Sequence, residues 1–280
     1  MKFTDYGVEL LRLFLMLLFL IFIVVPFLWV GASAFKVEDR VFADLAPFSF
    51  TAFIPVPFTL EAFDTLFEGG FLNSVLVTVF VGVITVIFGV LLNSMAGFSF
   101  ARFDFPGKQM LFALVLVSFL VPFEAIAVPL YMTIQKLGWG DTLLALIVPA
   151  VAYGLAIFLF RQFFLGIPSE LVDAALIDGA GWFRIFWQVF LPLSKPVIIC
   201  VSLLMFLGQW QALIWPLIAV QSKDLRMIQV AIAYLTQDEN VTFWNVHMAA
   251  AFLTGIIPLA LIFPLQKYYI RGMSTSGLKG

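Results

Sequence analysis

The chain has 280 residues, 63% of them hydrophobic and 11% charged, with a formal net charge of −2 and a mean hydropathy of +1.09. No soluble domain has interior enough for that much apolar side chain, so the composition excludes a water-soluble enzyme and leaves an integral membrane protein. One cysteine, Cys200, excludes an internal disulfide and a cysteine-built metal site, and nucleic acid is not an expected partner.

Six blocks are long and apolar enough to cross about 30 Å of hydrocarbon: residues 10–35, 72–100, 110–130, 143–164, 197–220 and 246–269. The first has a basic start at Lys2 and a small-residue stretch at Ala32-Ser33-Ala34, as a signal peptide would. Its apolar run is far longer than the roughly 7–15 residues of a signal core, so a retained helix is expected. Six spans put both termini on one side. With the termini inside, the inner segments hold Lys2, Arg12, Arg102, Lys108, Arg161, Arg184, Lys195, Lys267, Arg271 and Lys279. The outer ones hold only Lys36, Arg40, Lys136, Lys223 and Arg226, and this bias predicts cytoplasmic termini.

Two outer segments are long, 36–71 and 221–245, and the first carries Pro47, Pro55 and Pro57. The residues leave open whether they form a landing surface for a partner or solvated connections. Asn73 and Asn93, in the second block, are expected to make hydrogen bonds between helices. In the third block Glu124 is the one ionisable residue deep in a predicted span, between Pro122 and Pro129. An acid there is costly unless it faces protein or water. It reads equally as a hydrogen-bonding group on a solute path or as a paired structural acid near the helix end.

Between the fourth and fifth blocks lies an elaborate polar loop, residues 168–196, predicted to be cytoplasmic. Pro168 and Ser169 mark a helix start, with Ser169 as cap. Glu170 and Asp173 suit the first turn of that helix, and Gly179 suits the left-handed position that ends it. A second short helix is expected over 182–190, with Pro192 and Pro196 leading into the fifth block. The residues alone allow either a docking helix for a soluble partner or an amphipathic helix resting on headgroups. Within the fifth block, Gln209, Trp210 and Gln211 offer amide groups and a flat ring suited to a polyhydroxyl solute. Gln209 and Gln211, two apart, cannot share a helix face.

The 168–196 loop resembles the EAA loop of the membrane subunits of binding-protein-dependent ABC importers. The resemblance is carried by Asp173-Ala174-Ala175, Asp178-Gly179-Ala180, Phe186, Val189, Leu191-Pro192 and Pro196. It extends to Ala101 through Lys108, to Pro122, Pro129-Leu130 and Gly138, and to Trp210 and Pro216, with Gln211 where the family has Asn. Trp244, Met248-Ala249-Ala250, Pro258, Gln266-Lys267-Tyr268, Arg271-Gly272 and the closing Lys279-Gly280 resemble the end of the second maltose-type sugar permease subunit. The resemblance implies an all-α membrane protein of six transmembrane helices with a cytoplasmic coupling helix between helices 4 and 5. It implies a first helix and outer loop over 1–70 and a transport core over 71–280.

The implied function is that of a permease subunit of an ATP-driven importer for a sugar or polyol. Glu170, Asp173, Ala174, Ala175, Asp178, Gly179 and Ala180 would contact an ATPase subunit, and Glu124, Gln209, Trp210 and Gln211 would line the solute path. Asp173 stands where the family has Glu, so its reach is one methylene shorter, and Glu170 is an alternative source of that charge. The implied partners are a homologous permease, two ATPase subunits that bind ATP and Mg, an extracytoplasmic solute-binding protein and the bilayer. No cofactor, metal or catalytic residue is expected on this chain. The sequence has no phosphate-cradling G-x-x-x-x-G-K-[ST] loop: Gly107-Lys108 is followed by Gln109. An intramembrane protease pairing Ser33 with His247 lacks the context such a dyad needs. A stand-alone channel or secondary carrier is the competing transport class.

Overall fold

The computed structural model describes residues 3–235 and 243–277, with side chains over 7–235 and 243–264. Lys2, Lys279, Gly280, Asp238 and Glu239 lie outside the described residues, as do the side chains of Gln266, Lys267, Tyr268 and Arg271. The described residues are helix and turn, apart from one isolated antiparallel bridge between Leu45 and Phe48. Among the described residues, four helices are long and apolar enough to cross a membrane: Gly7–Ser33, Phe71–Arg102, Leu143–Leu165 and Trp244–Pro264. The number rises to six if each of two sharply bent helix pairs counts as one span.

The expected spans begin and end near the observed helices, but the third, fourth and fifth are interrupted. The third block divides into Lys108–Ser118 and Phe123–Lys136, bent by 102°. Pro122 explains where: its ring would collide with the carbonyl four residues back, which is Ser118, the last residue of the first piece. The fifth block, expected as one helix over 197–220, stops at Trp210 and resumes as Ile214–Ala219. Pro216 forbids continuity through Ala212 in the same way. The 16-residue piece Lys195–Trp210 is about 24 Å long, short of the hydrocarbon thickness.

The chain forms two compact units. One comprises Met1–Leu72 with Ala231–Ile257. Its first helix, α1 (Phe3–Ser33), is apolar on every face from Leu13 to Val30 and exposed from Gly7 to Leu28, as suits a helix surrounded by lipid. The segment after it is ordered around a buried lysine. Lys36 Nζ donates to Asp44 Oδ2 at 3.0 Å, to the Thr51 carbonyl at 2.7 Å and to the Ala52 carbonyl at 3.2 Å. All three ammonium protons are thereby used and its side chain is 0% exposed. The Phe35 ring stacks on Phe58 at 5.4 Å and meets Phe252 edge-on at 5.8 Å. Glu38 reaches across 206 residues to cap the last helix, accepting from the amides of Trp244 at 3.0 Å and Asn245 at 3.3 Å. The expected outer connection over 36–71 therefore holds structure of its own, including helix α2 (Glu61–Glu68).

The second unit comprises Asn73–Val230 with Pro258–Gly280. Its spine is α3 (Phe71–Arg102), which close contacts tie to its neighbours. A Cβ at Gly97 would lie 2.6 Å from the Phe160 Cβ and 3.0 Å from the Arg161 amide, so only Gly allows this approach. The fourth block pauses between two halves, Leu143–Val151 and Gly154–Leu165. Asn93 closes that gap: its amide donates to the Val151 carbonyl at 2.8 Å and its oxygen accepts from the Tyr153 amide at 3.0 Å. Asn73 donates to the Asp224 carbonyl at 2.8 Å, so both asparagines link separate segments as expected. The segment over 221–245, also expected as an outer connection, includes the helix Ile228–Leu235, whose first amide donates to the buried Thr78 hydroxyl at 2.8 Å.

Candidate functional site

The loop over 168–196 folds as two helices on an aromatic bed. The first, Ser169–Ile177, starts at the expected cap residue itself, one position early: Pro168 holds the cap position, and no side chain caps the helix. Its end follows the local rule closely. Gly179 has φ +74°, its amide donates to the Leu176 carbonyl at 3.0 Å, and the Ala180 amide donates to the Ala175 carbonyl at 2.9 Å. These two bonds satisfy carbonyls that a helix end otherwise orphans.

The second helix runs over Trp182–Leu193 and widens into a π turn at Phe186–Phe190. Pro192 lacks an amide hydrogen and would crowd the Gln188 carbonyl in a regular helix, and the wider turn relieves this. The buried Ser194 hydroxyl then donates to the Phe190 carbonyl at 2.6 Å, and the chain bends 81° into Lys195–Trp210.

Beneath the loop, Phe98 is the hub. Its ring lies 4.7 Å from Phe190, 5.3 Å from Phe186, 5.6 Å from Phe103 and 6.2 Å from Phe164. Val172, Ile185, Phe186 and Phe190 turn into this cluster and are buried. Arg102, read in the sequence as an inner charge within the 101–108 turn, fastens the approach to the loop. Its guanidinium donates to the carbonyls of Phe164 and Ile167 and sits 4.9 Å over the Phe190 ring. The sequence signal was a lone Arg closing an apolar block. Its two acceptors are carbonyls at and just beyond a helix C-terminus, the place where a cation is favoured.

Seven residues had been expected to meet an ATPase. Glu170, Asp173, Ala174, Asp178 and Gly179 are exposed, and Ala175 and Ala180 are half-buried against the cluster. Ile177 and Phe183 are also exposed, at 87% and 69%. The outward surface thus combines three acids with large apolar side chains, Ile177 and Phe183 the most exposed.

The four expected path residues divide. Gln209 and Trp210 are buried, at 8% and 2% exposed, on the last turn of Lys195–Trp210. Trp210 stacks against Phe206 at 5.9 Å, and its carbonyl accepts from Gln229 Nε2 at 3.1 Å. Gln211 is not mid-helix as expected: it caps the broken end and is exposed. Glu124 is not deep in a continuous span but in the first turn after the 102° bend, where it too is exposed. The pieces that follow the two breaks pack together, with the Phe123 ring 5.9 Å from Trp215 and Trp215 Nε1 donating to the Ala145 carbonyl at 2.9 Å. Sequence reading missed Trp215.

The protease alternative finds no dyad. Ser33 Oγ and His247 Nε2 are both buried without a hydrogen-bond partner among the described residues, and His247 Nδ1 lies 2.8 Å from the Phe243 carbonyl of its own helix.

A helical membrane protein with interrupted spans and a structured polar loop is the architecture of a transport permease. Residues 89–274 match the family described as binding-protein-dependent transport system inner membrane component, and the chain belongs to that family. It is an integral inner-membrane permease component, not itself the ATPase. It is 34% identical over 235 residues to the arabinooligosaccharides transport system permease protein AraQ of Halalkalibacterium halodurans, covering 81% of this chain and 82% of that one. It is also 34% identical over 185 residues to the sn-glycerol-3-phosphate transport system permease protein UgpE of Brucella melitensis, covering 66% of each. Among solved structures, a bacterial ABC transporter involved in the import of the acidic polysaccharide alginate superposes with a TM-score of 0.83. That match has 18% identity and covers 96% of this chain and 98% of the other.

Proposed function

We propose that the chain is one of two membrane subunits of an importer for a sugar or polyol, with its 168–196 loop docked on a cytoplasmic ATPase subunit. One observation carries the reading. The loop is held rigidly from below by buried aromatic rings and ended by a left-handed glycine, while it turns Glu170, Asp173 and Asp178 outward beside exposed Ile177. An acidic face is repelled by anionic headgroups, whereas acids around an apolar anchor suit a basic-rimmed cleft on a protein. This favours docking over the interfacial helix.

In this reading both termini are cytoplasmic, the bent pairs complete six spans, and 71–280 is the transport core. A homologous permease, two ATPase subunits carrying ATP and Mg, and an outer solute-binding protein complete the assembly. A carbohydrate or polyol solute is supported by relatives named for arabinooligosaccharides and sn-glycerol 3-phosphate. Glu124 and Gln211 flank helix breaks, the feature from which transporters build solute sites, and Gln209 and Trp210 back them. Closure of the ATPase dimer would move the loop and shift the spans between two states, by as much as ATP binds one state better.

The test is uptake by proteoliposomes holding this chain with its cognate subunits and binding protein. Accumulation of a sugar should require ATP on the loop side and cease when the ATPase is omitted. Flux driven by a solute or ion gradient through this chain alone would place it among channels or secondary carriers instead.

A further inference from the structure

We propose that a cavity at the start of Lys108–Ser118 and the end of Gly154–Leu165 holds the headgroup of a membrane phospholipid, its phosphodiester on Arg161. The cavity measures about 410 Å³ and is lined by Asp104, Lys108, Gln109, Phe112, Ala113, Leu116 and Arg161. Arg161 is the informative member. Its guanidinium carbon sits 4.2 Å over the Phe112 ring, which fixes the plane of the fork, and its Nε is buried without a hydrogen-bond partner among the described residues. A buried, unbonded donor on a permanent cation is costly, so the site is built for an acceptor that the chain does not supply.

The acceptor's chemistry follows from the lining. The single acid, Asp104, is already engaged, accepting from Lys108 Nζ at 3.0 Å, and its side chain is 98% exposed. Two cations against one acid leave the cavity net positive. A planar guanidinium matches phosphate oxygens, and Gln109 adds a further donor. Phe112, Ala113 and Leu116 supply an apolar wall that a free inorganic anion would not need but a diacylglycerol moiety would.

Position agrees with chemistry. Arg161 lies four residues before the end of its helix and Lys108 opens the neighbouring one, so the cations sit where both spans leave the hydrocarbon. The proposal requires only that these helices sit in a bilayer; it does not depend on the solute or on the docking role of the loop.

The experiment is native mass spectrometry of the assembled transporter, stripped with detergent and re-exposed to defined lipids, comparing wild type with Arg161→Gln and Ala113→Trp. The second variant plugs the cavity from an exposed position without removing a charge. Wild type should retain one phospholipid that both variants hold about tenfold more weakly, the effect of losing one charge-assisted hydrogen bond or the space it needs. Glycerophosphoglycerol and inorganic phosphate, lacking acyl chains, should not be retained, and neither should diacylglycerol, which lacks the phosphate.

If Arg161→Gln fails to assemble, Ala113→Trp and Lys108→Gln decide. Retention unaffected by the variants that assemble, equal retention of diacylglycerol, or a wild-type complex that holds no phospholipid because a neighbouring subunit fills the cavity would each overturn the proposal.

Discussion

The segment after α1, residues 36–60, and the loop over 168–196 are both interruptions of an apolar chain, yet they are fixed by different means. The first closes around one buried side chain, Lys36, whose three donors bind Asp44 and the carbonyls of Thr51 and Ala52. The loop closes through backbone conformation, at Gly179, over a bed of rings centred on Phe98. A segment tied by one ammonium fails as a whole when that group is removed. A segment tied by a turn and a broad apolar cluster loses one contribution at a time. This contrast suits the proposed roles, since a surface that transmits force tolerates small adjustments at its hinge.

The largest effect is therefore expected at Lys36. Replacing it by Met keeps the stem but leaves two carbonyls and a carboxylate without their donor, costing about 2 kcal/mol or more from the carbonyls alone. Thermal unfolding in detergent should shift downward, and residues 36–60 should become open to protease while the 168–196 loop does not. If Lys36→Met is neutral, the segment is held by its rings, Phe35 on Phe58 foremost, and the contrast disappears.

Gly179→Ala should cost about 1 kcal/mol, because a Cβ is disfavoured at φ +74°. Nothing lies within 4 Å of that added carbon, so the cost belongs to the backbone alone. Gly181→Ala is the matched control: it too has open space, but its φ is −74°. Solute-stimulated ATP hydrolysis should fall in the Gly179 variant and hold in the Gly181 variant. Equal losses in both would mean that small size, not chain direction, is what the loop needs.

The same contrast explains what could be read from the sequence. Gly179 was legible because a left-handed helix end is a rule about a few neighbouring residues. The helical class and approximate span positions were legible because hydrophobic blocks report membrane thickness directly. The break at Trp210 was also visible in principle, since Pro216 excludes a helical bond to Ala212, but the continuous apolar run masked it. Lys36, Arg102 and Asp141 were not legible as anchors. Asp141 holds φ +55° and accepts from the amides of Gln221 at 2.9 Å and Ser222 at 2.8 Å, some 80 residues on. Such pairings depend on which distant segment arrives, and a lone charge beside an apolar block gives no sign of its partner. Glu124 was legible in part: the flanking prolines mark a bend, and the bend falls at Pro122, which puts Glu124 in an exposed first turn rather than mid-helix.

The smallest expected effect tests the Lys36 anchor from its acidic side. The Lys36 ammonium, donating at 3.0 Å, holds the Asp44 carboxyl below its ordinary range, and the Thr51 side chain adds to this. A depressed native pKa means that the unfolded state binds the proton first as pH falls. The pair's contribution is thus complete above the unfolded value of about 3.9 and is lost as pH drops through the lower native one. Protection of residues 36–60 against pepsin should hold down to about pH 4 and weaken below it. Asp44→Asn should remove that step and leave the segment slightly less protected at neutral pH, because an amide oxygen accepts more weakly than a carboxylate. An acid step that survives in Asp44→Asn would belong to another group, and Lys36 with Asp44 would then not be the single anchor of the segment.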